Sequence, residues 1–190
     1  MSSAGFFIFE EKEINSMEFA VQTHYDQKTA STLAKALRKT VRKKRSRRSR
    51  FFGTLMAVLS FLLAFVSEEG LGFPSSGRQW LNLGVALMLL AVLLWEDQIN
   101  GYFVRKRMLP GTQDVTATFE KEQFVSSTQV GNSAFFYDRV QELVDTGEYI
   151  VFVFSKNHAQ AYDKNGITGG TPEEFAAFLE ETTGKKVIKI

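Results

Sequence analysis

The sequence predicts an α+β membrane protein, in which a two-helix transmembrane hairpin carries a small cytoplasmic antiparallel β-barrel or half-barrel closed by one C-terminal α-helix. Two apolar runs of sixteen residues, 51–66 and 80–95, contain no charged side chain and predict the two helices. Alternation of apolar and polar residues after residue 111 predicts short β-strands. Ten cations within residues 35–50 set the expected orientation of the hairpin.

The composition of the 190 residues excludes several classes of site. The chain has no cysteine, which excludes disulfide frameworks, zinc–thiolate sites and thiol catalysis. His24 and His158 are the two histidines, too few for a multi-histidine metal site. Eighteen phenylalanines and a hydrophobic fraction of 44% exclude disorder as the overall state. We therefore expect no metal and no cofactor.

The first predicted segment is an N-terminal arm, residues 1–27, that contributes to the cytoplasmic domain. Residues 18–25 alternate as a strand does, and Phe6–Phe9 supply further apolar cover. The N-terminus lacks a basic region and soon becomes acidic, so no signal peptide is predicted, and Ser2 stands where myristoylation needs glycine. The domain is therefore expected to be discontinuous, with the membrane helices inserted into it.

Residues 28–50 predict an amphipathic, polybasic helix that precedes the membrane. Leu33, Leu37 and Val41 form its apolar stripe. We expect its cations, with those that follow the second apolar run, to set topology and to contact anionic lipid headgroups. These residues are Arg42, Lys43, Lys44, Arg45, Arg47, Arg48, Arg50, Arg105, Lys106 and Arg107. Nucleic acid is not an expected partner, because no aromatic residue interleaves the block and it adjoins the bilayer.

The two transmembrane helices are predicted over residues 51–67 and 80–103, with residues 68–79 as the external loop. Thirteen cations flank the two apolar runs on one side, whereas the loop between them has one, Arg78, beside Glu68 and Glu69. This distribution places both termini in the cytoplasm, at the bacterial cytoplasmic membrane. The alternative is a pair of buried core helices, because runs of this length are ambiguous.

Small residues predict how the two helices pack. Gly53, Ala57, Ser60 and Ala64 lie on one stripe of the first helix, and Gly84 and Ala91 could face it from the second. The same stripe could instead pair two copies of the chain, so a homo-oligomer stays open.

Two acids, Glu96 and Asp97, follow the second apolar run directly. Antiparallel helices would place them beside Arg48 and Arg50, which predicts an ion pair at the inner mouth of the hairpin. The alternative is that all four charges are solvated at the interface.

After a linker, residues 104–112, the C-terminal domain is predicted over residues 113–190. Its expected strands lie at 115–119, 124–130, 134–137, 140–144, 149–154 and 158–162. Turns are predicted at 131–132, 146–147 and 156–157. Thr171 and Glu174 form a capping box around Pro172, and the helix that they open ends at Gly184.

This arrangement resembles the YcxB-like family of bacterial two-span membrane proteins. The resemblance covers most of the chain and rests on Phe119 and Phe124, on Tyr137, Val140, Leu143, Tyr149 and Ile150, on 161–164, and on Glu174, Phe175 and Leu179. Tyr137 stands where the family usually has tryptophan, and Asp163 where it has proline. The resemblance implies a C-terminal domain like the pleckstrin-homology fold, and it implies no specific biochemical role.

No catalytic signature of the common nucleotide, hydrolase or zinc-protease types occurs in the sequence. We therefore expect a non-enzymatic inner-membrane protein that presents its cytoplasmic domain to an unknown protein partner or scaffolds a membrane complex. The alternative function is a small subunit of an oligomeric channel or transporter, although neither apolar run carries the ionisable residue that would line a polar path.

Overall fold

The computed structural model describes residues 19–67 and 70–190. The predictions that fall on Phe6–Phe9 and on the loop acids Glu68 and Glu69 lie outside the described residues. Within these ranges the chain forms eleven β-strands and five α-helices. The strands are β1 Phe19–His24, β2 Val66–Ser67, β3 Gly70–Leu71, β4 Asp114–Phe119, β5 Gln123–Thr128, β6 Gly131–Phe136, β7 Glu142–Asp145, β8 Tyr149–Ser155, β9 His158–Asp163, β10 Ile167–Thr168 and β11 Val187–Lys189. The helices are α1 Gln27–Lys39, α2 Lys43–Ala64, α3 Gly77–Leu94, α4 Glu96–Lys106 and α5 Pro172–Thr183.

Nine of the strands form two sheets, which we call, together with α5, the β unit. The first sheet has the order β10-β1-β4-β5-β6 and the second the order β11-β7-β8-β9. The predicted β-barrel is wrong, because no pairing between described strands joins the two sheets into a closed barrel. The strand predicted over 18–25 is present as β1, which pairs with β4 over its whole length and with β10 on its other side.

The two sheets face each other across the larger of two apolar cores. Phe119 and Phe124 stack at its centre, and α5 covers it with Phe175 and Leu179. A second core lies on the opposite face of β8, where α1 packs with Leu33 and Leu37. Strand β8 is therefore buried on both faces, which explains its continuous apolar run.

Helices α1 to α4 form a helix layer, which contacts the β unit through α1. The chain leaves α1 through a tight turn at 40–42, so the single helix predicted over 28–50 is wrong. The Thr40 hydroxyl bonds the carbonyl oxygen of Ala36 at 2.8 Å, and the Arg42 amide bonds that of Leu37, which ends α1 there. Helix α2 packs along α3, and α4, which follows α3 after Trp95, packs against α1.

The fold class predicted from the sequence, a two-span transmembrane hairpin, is also wrong. One helix within the described ranges, α3, is long and apolar enough to be a candidate membrane span. Helix α2 does not qualify because its first eight residues, 43–50, carry six cations and leave only the fourteen residues 51–64 without charge. Fourteen helical residues are about 21 Å long, whereas the hydrocarbon core of a bilayer is about 30 Å thick.

Two local features of the β unit differ from the prediction, and a third agrees with it. The turn between β5 and β6 is Gln129–Val130, and the residues predicted as the turn, Gly131 and Asn132, begin β6. Strands β10 and β11 were not predicted, because each is too short to show alternation. The capped helix α5 is confirmed, with both capping-box bonds present and Gly184 left-handed at φ 64°.

Candidate membrane-contact site

The α2–α3 helix pair carries its large apolar side chains on the outside. The exposed residues on α2 are Phe51, Phe52, Leu55, Met56, Val58, Leu59, Phe61, Leu62 and Leu63. Those on α3 are Trp80, Leu81, Val85, Leu87, Met88, Leu90, Val92 and Leu94. A contiguous apolar surface of this extent is unusual on a water-soluble monomer and marks a contact with lipid or another protein.

Small residues hold the two helices together. Ala57 and Ala64 of α2 and Ala86 of α3 are buried, and a Cβ atom on Gly53 would lie 3.1 Å from a methyl of Leu93. Gly84, which the sequence placed in this seam, is exposed and has open space around it. The buried seam of α3 therefore follows Ala86 and Leu93, one helix face away from Gly84.

Hydrogen bonds of Ser76 and Gln79 fix the end of the α2–α3 helix pair at which α3 begins. Ser76 caps α3, and the buried side chain of Gln79 accepts bonds from the backbone amides of Ser75 and Ser76, both at 3.0 Å. Its amide nitrogen donates to the carbonyl oxygen of Val66, 3.1 Å away, just beyond α2. Gln79 thereby ties the turn after α2 to the start of α3.

Nine of the ten predicted basic residues are distributed over three environments, and the tenth, Arg50, pairs with Glu96. Five of them are exposed on the first turns of α2, namely Lys43, Lys44, Arg45, Arg47 and Arg48. Arg105, Lys106 and Arg107 are exposed at the end of α4. Arg42 points instead to the β8–β9 turn, where its Nε donates to the Lys156 carbonyl oxygen at 2.5 Å and its terminal nitrogen donates to Asn157 at 2.9 Å.

The acids Glu96 and Asp97 each pair with a cation, but only the partner of Glu96 is one of the two arginines that the sequence predicted. Arg50 lies 3.2 Å from Glu96, as one of the expected pairings requires. Asp97 pairs with Arg38 of α1 through two parallel bonds of 2.7 Å, and Arg48 stays exposed. Hydrogen bonding to Asp97 raises the pKa of Arg38. The pairing with Arg38 follows from the turn at 40–42, which the sequence did not predict.

Helices α1 and α4 approach each other most closely at Gly101. A Cβ atom there would lie 2.6 Å from the backbone nitrogen of Ser31 and 2.7 Å from its Cα. Gln27 donates to the carbonyl oxygen of Gln98 at 3.0 Å beside this crossing. The helix layer and the β unit are thereby joined through α1, which touches both.

Two open cavities lie in the β unit. One, of about 500 Å³, lies between the first sheet and β9 and is lined by uncharged residues that include Tyr25, Ser126 and Ser133. The other, of about 600 Å³, is bordered by His24 and Asp114, whose side chains lie 2.6 Å apart. Among the described residues, no three His, Asp or Glu side chains lie together as metal ligands would.

In comparisons with known proteins, no family model matches the chain, and no curated protein or solved structure shows significant similarity to it. The resemblance to the YcxB-like family therefore stays a prediction.

Sequence reasoning missed Arg38, Gln79 and Gly101, although each supports the helix layer. Arg38 follows the apolar stripe of α1 and reads as one cation of many. Ser76 and Gln79 carry a signal that could have been found, because Ser-x-x-Gln before an apolar run is a capping box. Gly101 offers no such signal, since an isolated helical glycine has many causes.

Proposed function

We propose that the protein is a membrane-associated, non-enzymatic binding protein that presents the β unit at the cytoplasmic face of a bacterial membrane. The apolar surface of the α2–α3 helix pair contacts lipid tails, and the exposed cations at the start of α2 contact anionic headgroups. The β unit then serves to bind another protein or to scaffold a membrane complex.

The observation that carries this proposal is the exposure of α3. A core helix of a soluble protein that is this apolar would be buried, whereas Leu87, near the middle of α3, is 57% exposed. Leaving such side chains in water costs roughly 1.5–3 kcal/mol each relative to full burial. Lipid tails remove that cost for the whole surface at once.

The position of the cations supports the contact with headgroups. Five exposed cations directly precede the first exposed phenylalanine of α2, Phe51. Each cation close to an anionic leaflet contributes about 1 kcal/mol of attraction, over roughly a Debye length. Residues 109–190 carry seven cations and twelve acids, so the β unit itself is repelled by such a leaflet and is more suited to a protein partner.

Membrane association is tested by Leu87→Arg in the full chain, with Ile188→Arg of β11 as the matched control. An arginine at the middle of a membrane-embedded helix costs about 2.5–3.5 kcal/mol, whereas Ile188 is an exposed residue of the β unit. We expect the unaltered chain and the control to stay with the membrane fraction after an alkaline carbonate wash, and Leu87→Arg to be partly lost from it. Release of the unaltered chain by carbonate would contradict the proposal.

The headgroup contact is tested with two sets of three substitutions in detergent-purified protein. One set is Lys44→Gln, Arg45→Gln and Arg48→Gln, and the control set is Lys185→Gln, Lys186→Gln and Lys189→Gln at the C-terminus. Ligands that bind the native state raise the melting temperature. We expect phosphatidylglycerol to raise the melting temperature of the unaltered chain and the control set more than phosphatidylcholine does, with this difference reduced in the first set. An equal response of both sets would exclude the α2 cations as the lipid contact.

A further inference from the structure

The edges of the two sheets differ in how they are protected against pairing with another strand. Strand β9 is covered by side chains from the β1 segment: Thr23 accepts the Asp163 amide at 2.9 Å, and the buried Tyr25 hydroxyl bonds both the amide and the carbonyl of Ala161 at 2.9 and 3.0 Å. Strand β10 has two residues, and β11 has three, of which Lys189 is charged. Shortness, charge and covering side chains are the usual means of blocking an edge.

Strand β6 has none of these protections. Its six residues, Gly-Asn-Ser-Ala-Phe-Phe, include neither charge nor proline, and no described strand pairs with its outer side. All of them except Phe135 are exposed, and Phe136 is exposed to 57%. An edge of this kind is a template for another strand.

The register of β5 and β6 shows which backbone groups of β6 do not bond to β5. Thr128 and Gly131 close a two-residue turn and form a hydrogen-bonded pair, so bonded pairs recur at 126/133 and 124/135. The amides and carbonyls of Asn132, Ala134 and Phe136 therefore point away from β5. Their side chains lie on the outer face of the sheet, because Phe135 packs on Phe124 in the core.

We propose that β6 pairs antiparallel with β6 of a second copy of this chain, about a two-fold axis at Ala134. In this register Ala134 opposes Ala134, and Asn132 of one copy opposes Phe136 of the other. Asn132, Ala134 and Phe136, whose amides and carbonyls point away from β5, then pair with the same three residues of the other copy. This pairing gives about six backbone hydrogen bonds. The two first sheets become one continuous sheet of ten strands.

Two features of the surface favour a second copy as the occupant. Residues 109–190 carry seven cations and twelve acids, whereas β6 carries no charge, so two copies can meet along β6 without placing like charges opposite each other. The exposed apolar residues Val130 and Phe136 lie at opposite ends of β6. The two-fold axis brings Val130 of each copy diagonally beside Phe136 of the other, so both exposed side chains are partly covered.

The chain has no cysteine, so single cysteines report this pairing directly. Ala134→Cys is placed at the axis, where the Cα atoms of a hydrogen-bonded pair lie about 5.5 Å apart, within disulfide range. Thr116→Cys is the control, because Thr116 is exposed on the same face but on β4, two strands from the edge. At about 4.8 Å between strands, the two Thr116 positions would lie roughly 24 Å apart. We expect copper–phenanthroline to cross-link the full-length, detergent-purified Ala134→Cys protein into dimers, and Thr116→Cys at least tenfold less.

A second pair of variants measures association without cross-linking. Ala134→Lys puts two cations at the axis, and Thr116→Lys adds the same charge away from it. We expect sedimentation to show a concentration-dependent dimer for the unaltered chain and for Thr116→Lys, and a monomer for Ala134→Lys, with all three melting at similar temperatures. A monomer in every variant, or equal cross-linking at both cysteines, overturns the proposal. Cross-linking of Ala134→Cys in native membranes only to a different protein also overturns it, and assigns the β6 edge to that partner.

Discussion

In the β unit most large aromatic side chains lie inside, whereas in the α2–α3 helix pair they lie outside. Phe119, Phe124 and Phe152 are completely buried between the sheets. Phe51, Phe52 and Phe61 of α2 are exposed, although they lie in a run of fourteen helical residues that carries no charge. Both regions are built with the same residue types, and they differ in what surrounds those residues.

The difference agrees with the proposed membrane contact, in which each region lies in a different solvent. The β unit encloses its apolar surface between its two sheets, α5 and α1, as a domain in water must. The helix pair buries mainly alanine and Gln79, so its internal contacts leave most of its apolar surface uncovered. In lipid, where no hydrophobic force drives helices together, small residues at the seam are the expected means of association.

The largest effect that separates the two regions is expected from matched phenylalanine truncations. Phe119→Ala removes a buried ring that contacts four other aromatic rings, and we expect it to lower the free energy of unfolding by about 3–5 kcal/mol. Phe61→Ala removes a ring from the exposed face of α2 and leaves no internal cavity. Thermal or chemical unfolding of the β unit measures both, and similar losses from the two variants would contradict the comparison.

Glycine substitutions test the helix layer next. Gly101→Ala puts a Cβ atom within about 2.7 Å of the Ser31 backbone, so α1 and α4 must separate. We expect a loss of about 1–3 kcal/mol, typical of overpacking. Gly84→Ala meets open space and should leave stability unchanged or increase it by up to about 1 kcal/mol, because alanine favours the helix. If Gly101→Ala unfolds at the same denaturant concentration as Gly84→Ala, the close crossing of α1 and α4 is wrong.

A smaller effect is expected from the two ion pairs that join the helices. Arg38 and Asp97 are 20% and 19% exposed and bond through two contacts, whereas Arg50 and Glu96 are 42% and 25% exposed and bond through one. A double-mutant cycle of Arg38→Gln with Asp97→Asn should give a coupling of about 1 kcal/mol. The cycle of Arg50→Gln with Glu96→Gln should give less than about 0.5 kcal/mol. Additive changes at Arg38 and Asp97 would show that these charges act independently.

The smallest expected effect is a pH dependence confined to the β unit. Partial burial of Asp145 favours its neutral form, but the bonds from Lys164, 2.7 Å long, and from the Gly147 amide, 2.8 Å long, act with nearby positive charge and together outweigh burial, so the pKa of the carboxyl is lowered. A carboxylate with a lowered pKa stabilises the fold at every pH above the pKa that it has in the unfolded chain, about 4. This stabilisation is lost as pH falls through the lower pKa of the folded state. We expect a shallow fall in unfolding free energy below about pH 4, and a shallower one in Lys164→Met. An unchanged slope in Lys164→Met would assign the acid sensitivity to other carboxylates.

The sequence by itself determined the elements whose signals are local. Period-two alternation predicted β1 and most strands of the β unit, and Thr171, Glu174 and Gly184 marked both ends of α5. The concentration of cations before Phe51 and the apolar character of α3 are likewise properties of composition. Such features depend on neighbouring residues, so the sequence states them directly.

Only the tertiary structure decided how distant segments meet. The two sheets remain separate, Asp97 pairs with Arg38, and Gly101 contacts Ser31, because each outcome depends on where the chain returns after the turn at 40–42. That turn is set by bonds from Thr40 and Arg42, and Arg42 is held in turn by the β8–β9 turn more than a hundred residues away. Periodicity specifies which face of an element is apolar, and it carries no information about which distant residue will lie against that face.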